Sequence, residues 1–245
     1  MAETELPLLV DARPQKFDWW SYPPPSLAEL LPPMPAAAHF AAIPDEPPAR
    51  AQARFDAIVA MAQPQHRPER FPIGVVAFNR PALLKSCLES LLNVTGVVKT
   101  QVTLYQDGDD PAVAAVARAA GVNVKQHLGN AGPKGQEGAM RIARHYRWTF
   151  SSLFDDNPLA SYAIIVEDDM LFSPDFLSFF VQTAPLYERD SSVYAISSWN
   201  DNGQRGLALD PRVLMRTDFF IGLGWMISRE IYKKEWEPIW PSTHW

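Results

Sequence analysis

Three consecutive carboxylates, Glu167-Asp168-Asp169, follow a short apolar run from Ala163 to Val166. Three adjacent acids repel one another unless positive charge sits among them, and a hard divalent cation, which prefers oxygen ligands, is the simplest source. The apolar run is rich in β-branched residues and reads as a buried strand. Ligands of open α/β sheets collect at the carboxyl ends of such strands. The alternative is an acidic loop tip, or the cap of a helix that starts near Ser173-Pro174. Two earlier apolar runs also end in polar residues: Arg80 follows Ile73 to Phe78, and Asp107 follows Val102 to Gln106. A carboxylate accepts a ring N–H and a guanidinium donates to ring carbonyl oxygens, a pairing that a uracil offers. Arg80 and Asp107 therefore suit a nucleotide base whose diphosphate meets a cation at the last acids. Arg80 as a plain surface side chain, and Asp107-Gly108-Asp109-Asp110 as a turn with an N-cap, stay open beside that reading.

The elements that must position these residues alternate between strand and helix from Phe71 onward. Strands are expected at Ile73 to Phe78, Val102 to Gln106, Val122 to Gln126, into Glu167, and at Val193 to Ser197. Helices are expected at Pro81 to Asn93, opened by proline in the first turn, from Asp110-Pro111 to a stop at Gly121, at Gln136 to Phe154, and from Pro174 to about Glu188. Such alternation implies an α/β domain with a mostly parallel sheet flanked by helices. Before Phe71 the grammar differs. Thirteen of the 23 prolines fall there, in stretches such as Tyr22-Pro23-Pro24-Pro25, which favours extended, partly irregular backbone. Residues 1–70 thus read as a Pro/Ala-rich extension, with Trp19-Trp20 as a docking point and a short helix at Ala49 to Ala62. Residues 71–245 read as the nucleotide-binding domain.

Composition narrows the function classes. The chain has 245 residues, a net charge of -6 and no basic run, so a nucleic-acid backbone has no electrostatic footprint to meet. Cys87 is the single cysteine; it shares a helix face with Leu84, Leu88 and Leu91 and reads as a small buried thiol. No apolar stretch approaches the roughly 18 residues of a membrane span. The opening Met1-Ala2-Glu3-Thr4-Glu5 is acidic where a signal peptide is basic. The phosphate-loop, dinucleotide, nucleophile-elbow and zinc-protease patterns are all missing; Gly132-Pro133-Lys134-Gly135 lacks the phosphate-loop spacing.

Five blocks carry a family resemblance, in this order: Arg141-Ile142-Ala143-Arg144-His145-Tyr146-Arg147-Trp148, Val166-Glu167-Asp168-Asp169, Ser198-Trp199-Asn200-Asp201-Asn202-Gly203, Arg216 to Trp225, and Glu237-Pro238-Ile239-Trp240-Pro241. Together they resemble glycosyltransferase family 13 over about Phe71 to Trp245. The resemblance implies a GT-A fold, Mn²⁺, and an inverting transfer of N-acetylglucosamine from UDP-N-acetylglucosamine in β-1,2 linkage to a mannose of a protein-linked glycan. A mannose-bearing glycoprotein is then the acceptor, either an N-glycan arm or an O-mannosyl peptide, and the Golgi lumen is the compartment. By position, Asp169 resembles the direct metal ligand, and Glu167 and Asp168 resemble contacts to donor sugar and ribose. Arg80, Asp107 and His145 match positions around the uracil, and Leu223 a residue near the transferred sugar. His145, among Arg141, Arg144 and Arg147, is expected to have a lowered pKa and to contact the donor rather than act as the base.

In that family an Asp after a Trp-Pro-x-x-x-Trp stretch takes the acceptor's proton. Here Trp240-Pro241-Ser242-Thr243-His244-Trp245 ends where it would come next, so no catalytic base is expected among these residues. Residues 1–245 alone are expected to show little or no turnover. A catalytically silent UDP-sugar- or glycan-binding protein is the competing class.

Overall fold

The computed structural model describes residues 48–130, 138–201, 214–220 and 222–241. The expectations for residues 1–47, the Trp19-Trp20 docking point included, lie outside the described residues. The sheet-bearing compact unit comprises residues 48–201 and 221–245, and residues 214–220 group with a second unit.

The sheet-bearing unit opens with helix α1 (Pro48–Met61), where the sequence indicates one, followed by two single-turn 3₁₀ segments up to Arg70. Six strands follow: β1 (Ile73–Ala77), β2 (Val102–Asp107), β3 (Asn123–His127), β4 (Tyr162–Glu167), β5 (Ile196–Ser197) and β6 (Trp225–Ser228). Their order across the sheet is β3-β2-β1-β4-β6-β5. The first four pair in parallel, and β6 runs antiparallel to both β4 and β5. Between them lie α2 (Pro81–Leu92), α3 (Pro111–Ala120), α4 (Ala139–Asp156), α5 (Phe176–Thr183) and the short α6 (Leu186–Arg189). After β6, α7 (Arg229–Ile231) runs on through a π turn and a 3₁₀ turn to Ile239. The mostly parallel, helix-flanked sheet expected from the alternation is therefore present.

β1 and β4 are buried along almost their whole length, as parallel strands covered on both faces must be. One face packs α1, α2, α3 and α5 around Leu84, Leu88, Val113 and Phe180. The other packs α4 and the C-terminal turns around Tyr105, Phe150, Leu153, Trp225 and Tyr232. Gly74 in β1 lets α4 come close: a Cβ there would lie 3.0 Å from Ile165 Cδ1 and 3.3 Å from Leu153 Cδ2.

Two elements depart from expectation. The helix expected from Pro174 to Glu188 is broken into α5 and α6, because Pro185 has no N–H to continue the ladder. The strand expected at Val193 to Ser197 shrinks to two residues at the sheet edge, while the central place beside β4 goes to β6. Among the described residues no helix is long and apolar enough to cross a membrane.

Candidate functional site

Register aligns the polar strand ends. Ala77 of β1 pairs with Gln106 of β2, and Val76 with Glu167 of β4. The next residues, Phe78, Asp107 and Asp168, continue at the same edge. Asp107 and the acid turn thus flank β1 from opposite sides, about 10 Å apart at two strand spacings.

On the β2 side, Asp107 is buried and both of its oxygens are bonded. Asn130 Nδ2 donates to Oδ1 at 3.0 Å and Arg141 Nε to Oδ2 at 2.6 Å. Asn130 Nδ2 also reaches the Arg141 carbonyl, and Arg144 Nε donates to Asn130 Oδ1, each at 3.0 Å. The Arg141 guanidinium lies 4.0 Å over the Phe78 ring. Arg141 and His145 come from one face of α4, since residues four apart are neighbours on a helix.

His145 is buried beside this network. Its Nε2 donates to the Tyr105 carbonyl at 3.0 Å, which leaves Nδ1 as an acceptor 3.2 Å from His127 Nδ1. His127 therefore donates to His145, and its ring stacks on Trp148 at 4.7 Å. The His145 pKa is lowered to about 4, chiefly by burial; His127 and Arg141 lower it further, against the opposing effect of Asp107 and the Tyr105 bond. The direction matches the expectation, but burial is the main cause rather than the arginines.

On the β4 side, successive side chains alternate between the sheet faces, so the three acids diverge. Glu167 turns toward α4 and accepts a 2.6 Å bond from the Tyr146 hydroxyl. Burial first, then the Glu167 charge, pushes the Tyr146 pKa well above its ordinary value, which keeps the hydroxyl a donor. Asp168 turns inward, with 1% of its side chain exposed, and pairs with Arg80 Nη2. Arg80 Nη1 donates to Asp169 Oδ2 at 2.8 Å, so one guanidinium bridges both aspartates. Asp168 Oδ2 is buried and has no hydrogen-bond partner among the described residues. Burial raises the Asp168 pKa; Arg80 pulls it back, while Asp169 and Glu167 push it further up.

The acid turn is gripped from two sides. Cys87 Sγ on α2 contacts the Glu167 carbonyl at 3.4 Å, and Ser90 Oγ accepts from Phe172 N at 2.8 Å. The Cys87 thiol is pushed up to about 12, mainly by burial, which fits a structural cysteine. From the other side comes Gly224, with φ of +56°; a Cβ there would meet Ser198 Oγ at 2.7 Å and Met170 Cε at 2.9 Å. The Leu223 carbonyl accepts from Ser197 Oγ at 3.0 Å. Gly224 thus belongs to the support of the acid turn as well as to the entry into β6.

Two places invite a cation. Asp107, His127 and His145 bring a carboxylate oxygen and two ring nitrogens within 4.8 Å of one another. The two imidazoles, however, meet head-on. Their 5.5 Å centroid separation equals the 3.2 Å N···N gap plus the two centre-to-nitrogen radii. A cation between them would sit about 1.6 Å from each nitrogen, short of a metal–imidazole bond of about 2.0 Å. That geometry is an N–H···N hydrogen bond. The acid turn fits better: its ligands are all oxygen, and Asp168 keeps an unpartnered buried oxygen.

The structure brings Arg80 together with Asp168 and Asp169, and His145 beside Asp107; Arg80 and Asp107 are not bonded to each other. Asn130, His127 and Tyr146 have contacting roles the sequence reading did not assign. The Arg141–His145 spacing was the available signal for the first network. Tyr146 lay one residue further on, facing the other strand end.

The profile of the GNT-I family matches residues 46–245. The chain belongs to the GNT-I family. Over 181 residues it is 38% identical to an Arabidopsis thaliana alpha-1,3-mannosyl-glycoprotein 2-beta-N-acetylglucosaminyltransferase; the match covers 71% of this chain and 40% of that protein. This GNT-I chain therefore spans well under two thirds of its relative's length. Among solved structures, it is distantly similar to the glucosyl-3-phosphoglycerate synthase of Mycobacterium tuberculosis, crystallised with Mn²⁺, UDP and phosphoglyceric acid. That similarity has a TM-score of 0.40 at 16% identity and covers 73% of this chain and 60% of that one. A mannosyltransferase of Pyrobaculum calidifontis scores 0.43 at 12% identity, covering 66% of this chain and 46% of the other.

Proposed function

We propose that this chain carries the donor site of an inverting β-1,2-N-acetylglucosaminyltransferase. In this reading the site binds UDP-N-acetylglucosamine with Mn²⁺ for transfer to a mannose of a protein-linked glycan, in the Golgi lumen. The observation that carries the reading is the Glu167-Asp168-Asp169 turn at the edge of β4, in a chain of the GNT-I family, set across β1 from Asp107. A nucleoside diphosphate spans that separation, with its base at Asp107 and its phosphates at the acids.

Each carboxylate oxygen has a second lone pair, so Asp107 can accept a uracil N–H while Asn130 and Arg141 hold it in place. His145 packs beside it and fixes the hydrogen-bonding pattern of that wall. Asp169 is the cation ligand; Glu167, oriented by Tyr146, and Asp168 face the donor sugar and ribose. Leu223 lies near the transferred sugar. Bound Mn²⁺ supplies the positive charge that stabilises a departing diphosphate.

Calorimetry tests the reading. UDP should bind in the presence of Mn²⁺, and Asp169→Ala should weaken that binding by about 100-fold or more. In competition, UDP-N-acetylglucosamine should displace UDP-glucose. Binding indifferent to Mn²⁺ and to Asp169 would overturn the metal site, and a preference for UDP-glucose would replace the donor assignment.

A further inference from the structure

The geometry points to Arg80 as a positioning residue of the cation subsite: an exchangeable counter-ion that competes with the cation for Asp169 and yields it when a nucleotide diphosphate arrives. The inference rests on the donor-site reading above and adds a coupling between its two ligands. Arg80 follows the end of β1 and caps α2, which places its guanidinium directly beside the acid turn. It bonds Asp169 through Nη1 and Asp168 through Nη2, so one planar group bridges two carboxylates. The Asp169 oxygen that Arg80 holds, Oδ2, is one a cation would need, and two positive charges at one carboxylate repel.

Release of Arg80 is feasible because 45% of its side chain is exposed and its long stem reaches toward solvent. A diphosphate offers what the guanidinium would lose, since phosphate oxygens accept its paired N–H groups with matching geometry. UDP thus draws Arg80 away and opens Asp169 to the cation, while the cation in turn favours UDP. Linkage requires that each ligand raise the other's affinity by the same factor.

The test is Mn²⁺ binding, followed by the paramagnetic signal of free Mn²⁺ with and without UDP, in wild type, Arg80→Met and Arg80→Lys. Without UDP, Arg80→Met should bind Mn²⁺ at least fivefold more tightly than wild type. Arg80→Lys, whose ammonium keeps the charge but lacks the planar fork that meets both carboxylates, should fall between them. The enhancement of Mn²⁺ affinity by UDP should be clear in wild type and smaller in Arg80→Met, where only the direct attraction between cation and diphosphate remains. Thermal melting gives an independent measure: Mn²⁺ alone should raise the midpoint of Arg80→Met more than that of wild type.

Unchanged or weaker Mn²⁺ binding in Arg80→Met, while wild type still binds Mn²⁺ and UDP, would overturn the counter-ion role and leave the donor site standing. Failure of wild type to bind UDP at any Mn²⁺ concentration would overturn both.

Discussion

On the β2 side of β1, Asp107 has both oxygens bonded, Asn130 links Arg141 to Arg144, and His145 has both ring nitrogens engaged. On the β4 side, three carboxylates share one guanidinium and one tyrosine hydroxyl, and a buried Asp168 oxygen has no partner among the described residues. The first wall is built in advance: Asp107 is paired with Arg141, and Arg144 adds positive charge whose buried Nη2 has no hydrogen-bond partner among the described residues. The second carries surplus negative charge held in place by its surroundings. Recognition of a neutral base needs fixed donors and acceptors, whereas capture of a cation needs unbalanced oxygen ligands, so the difference between the two halves is what the proposed donor site would require.

If the β2 wall is self-sufficient, damage there should appear as lost stability that no cation restores. Asp107→Ala leaves the Arg141 guanidinium and Asn130 without their acceptor. Breaking a buried pair costs about 3–5 kcal/mol, and the partial exposure of Arg141 lowers this to about 2–3 kcal/mol. The melting midpoint should fall by roughly 5–10 °C, with no recovery in saturating Mn²⁺. Recovery would show that the two halves are not independent in this way.

A smaller effect follows from His145. Its folded pKa of about 4 lies below the ordinary 6.5, so the unfolded chain takes up the proton first. Its contribution to stability is complete above pH 6.5 and is lost as the pH falls toward 4. By pH 5 the loss amounts to about 2 kcal/mol. Urea midpoints of wild type and His145→Gln, compared between pH 7 and 5, isolate this part; parallel curves would contradict it.

The smallest effect sharpens the other half. Gly224→Ala introduces a Cβ 2.7 Å from Ser198 Oγ at a left-handed backbone position, for about 1–2 kcal/mol. Because Met170, next to Asp169, is also within 2.9 Å of that Cβ, Mn²⁺-dependent UDP affinity should fall along with stability. Unaltered affinity, measured by calorimetry, would detach Gly224 from the acid turn.

Much of this was readable in the sequence. The apolar run into Glu167, the proline that opens α2 and the stop at Gly121 come from local rules of burial and backbone geometry, and each acts within one element. β6 was not readable as a sheet member: Trp225-Met226-Ile227-Ser228 is too short to declare a period, and only its pairing with β4 makes it a strand. Pro185 was visible, but its effect on the helix depends on where the chain must turn. In the site, residue types announced the acids, while the partners that decide their state did not appear. Asn130, His127 and Tyr146 reach Asp107, His145 and Glu167 across gaps of 18 to 23 residues, which only the fold closes.

One position in the middle of β1 acts as a mechanical stop for the whole arrangement. Helix α4 supplies Arg141 and His145 to one wall and Tyr146 to the other, and Gly74 sets how deep that helix seats. A side chain at Gly74 would press on Ile165 of β4 and Leu153 of α4, which must give way to admit it. Because that helix serves both walls, the space left by one missing Cβ bears on both at once.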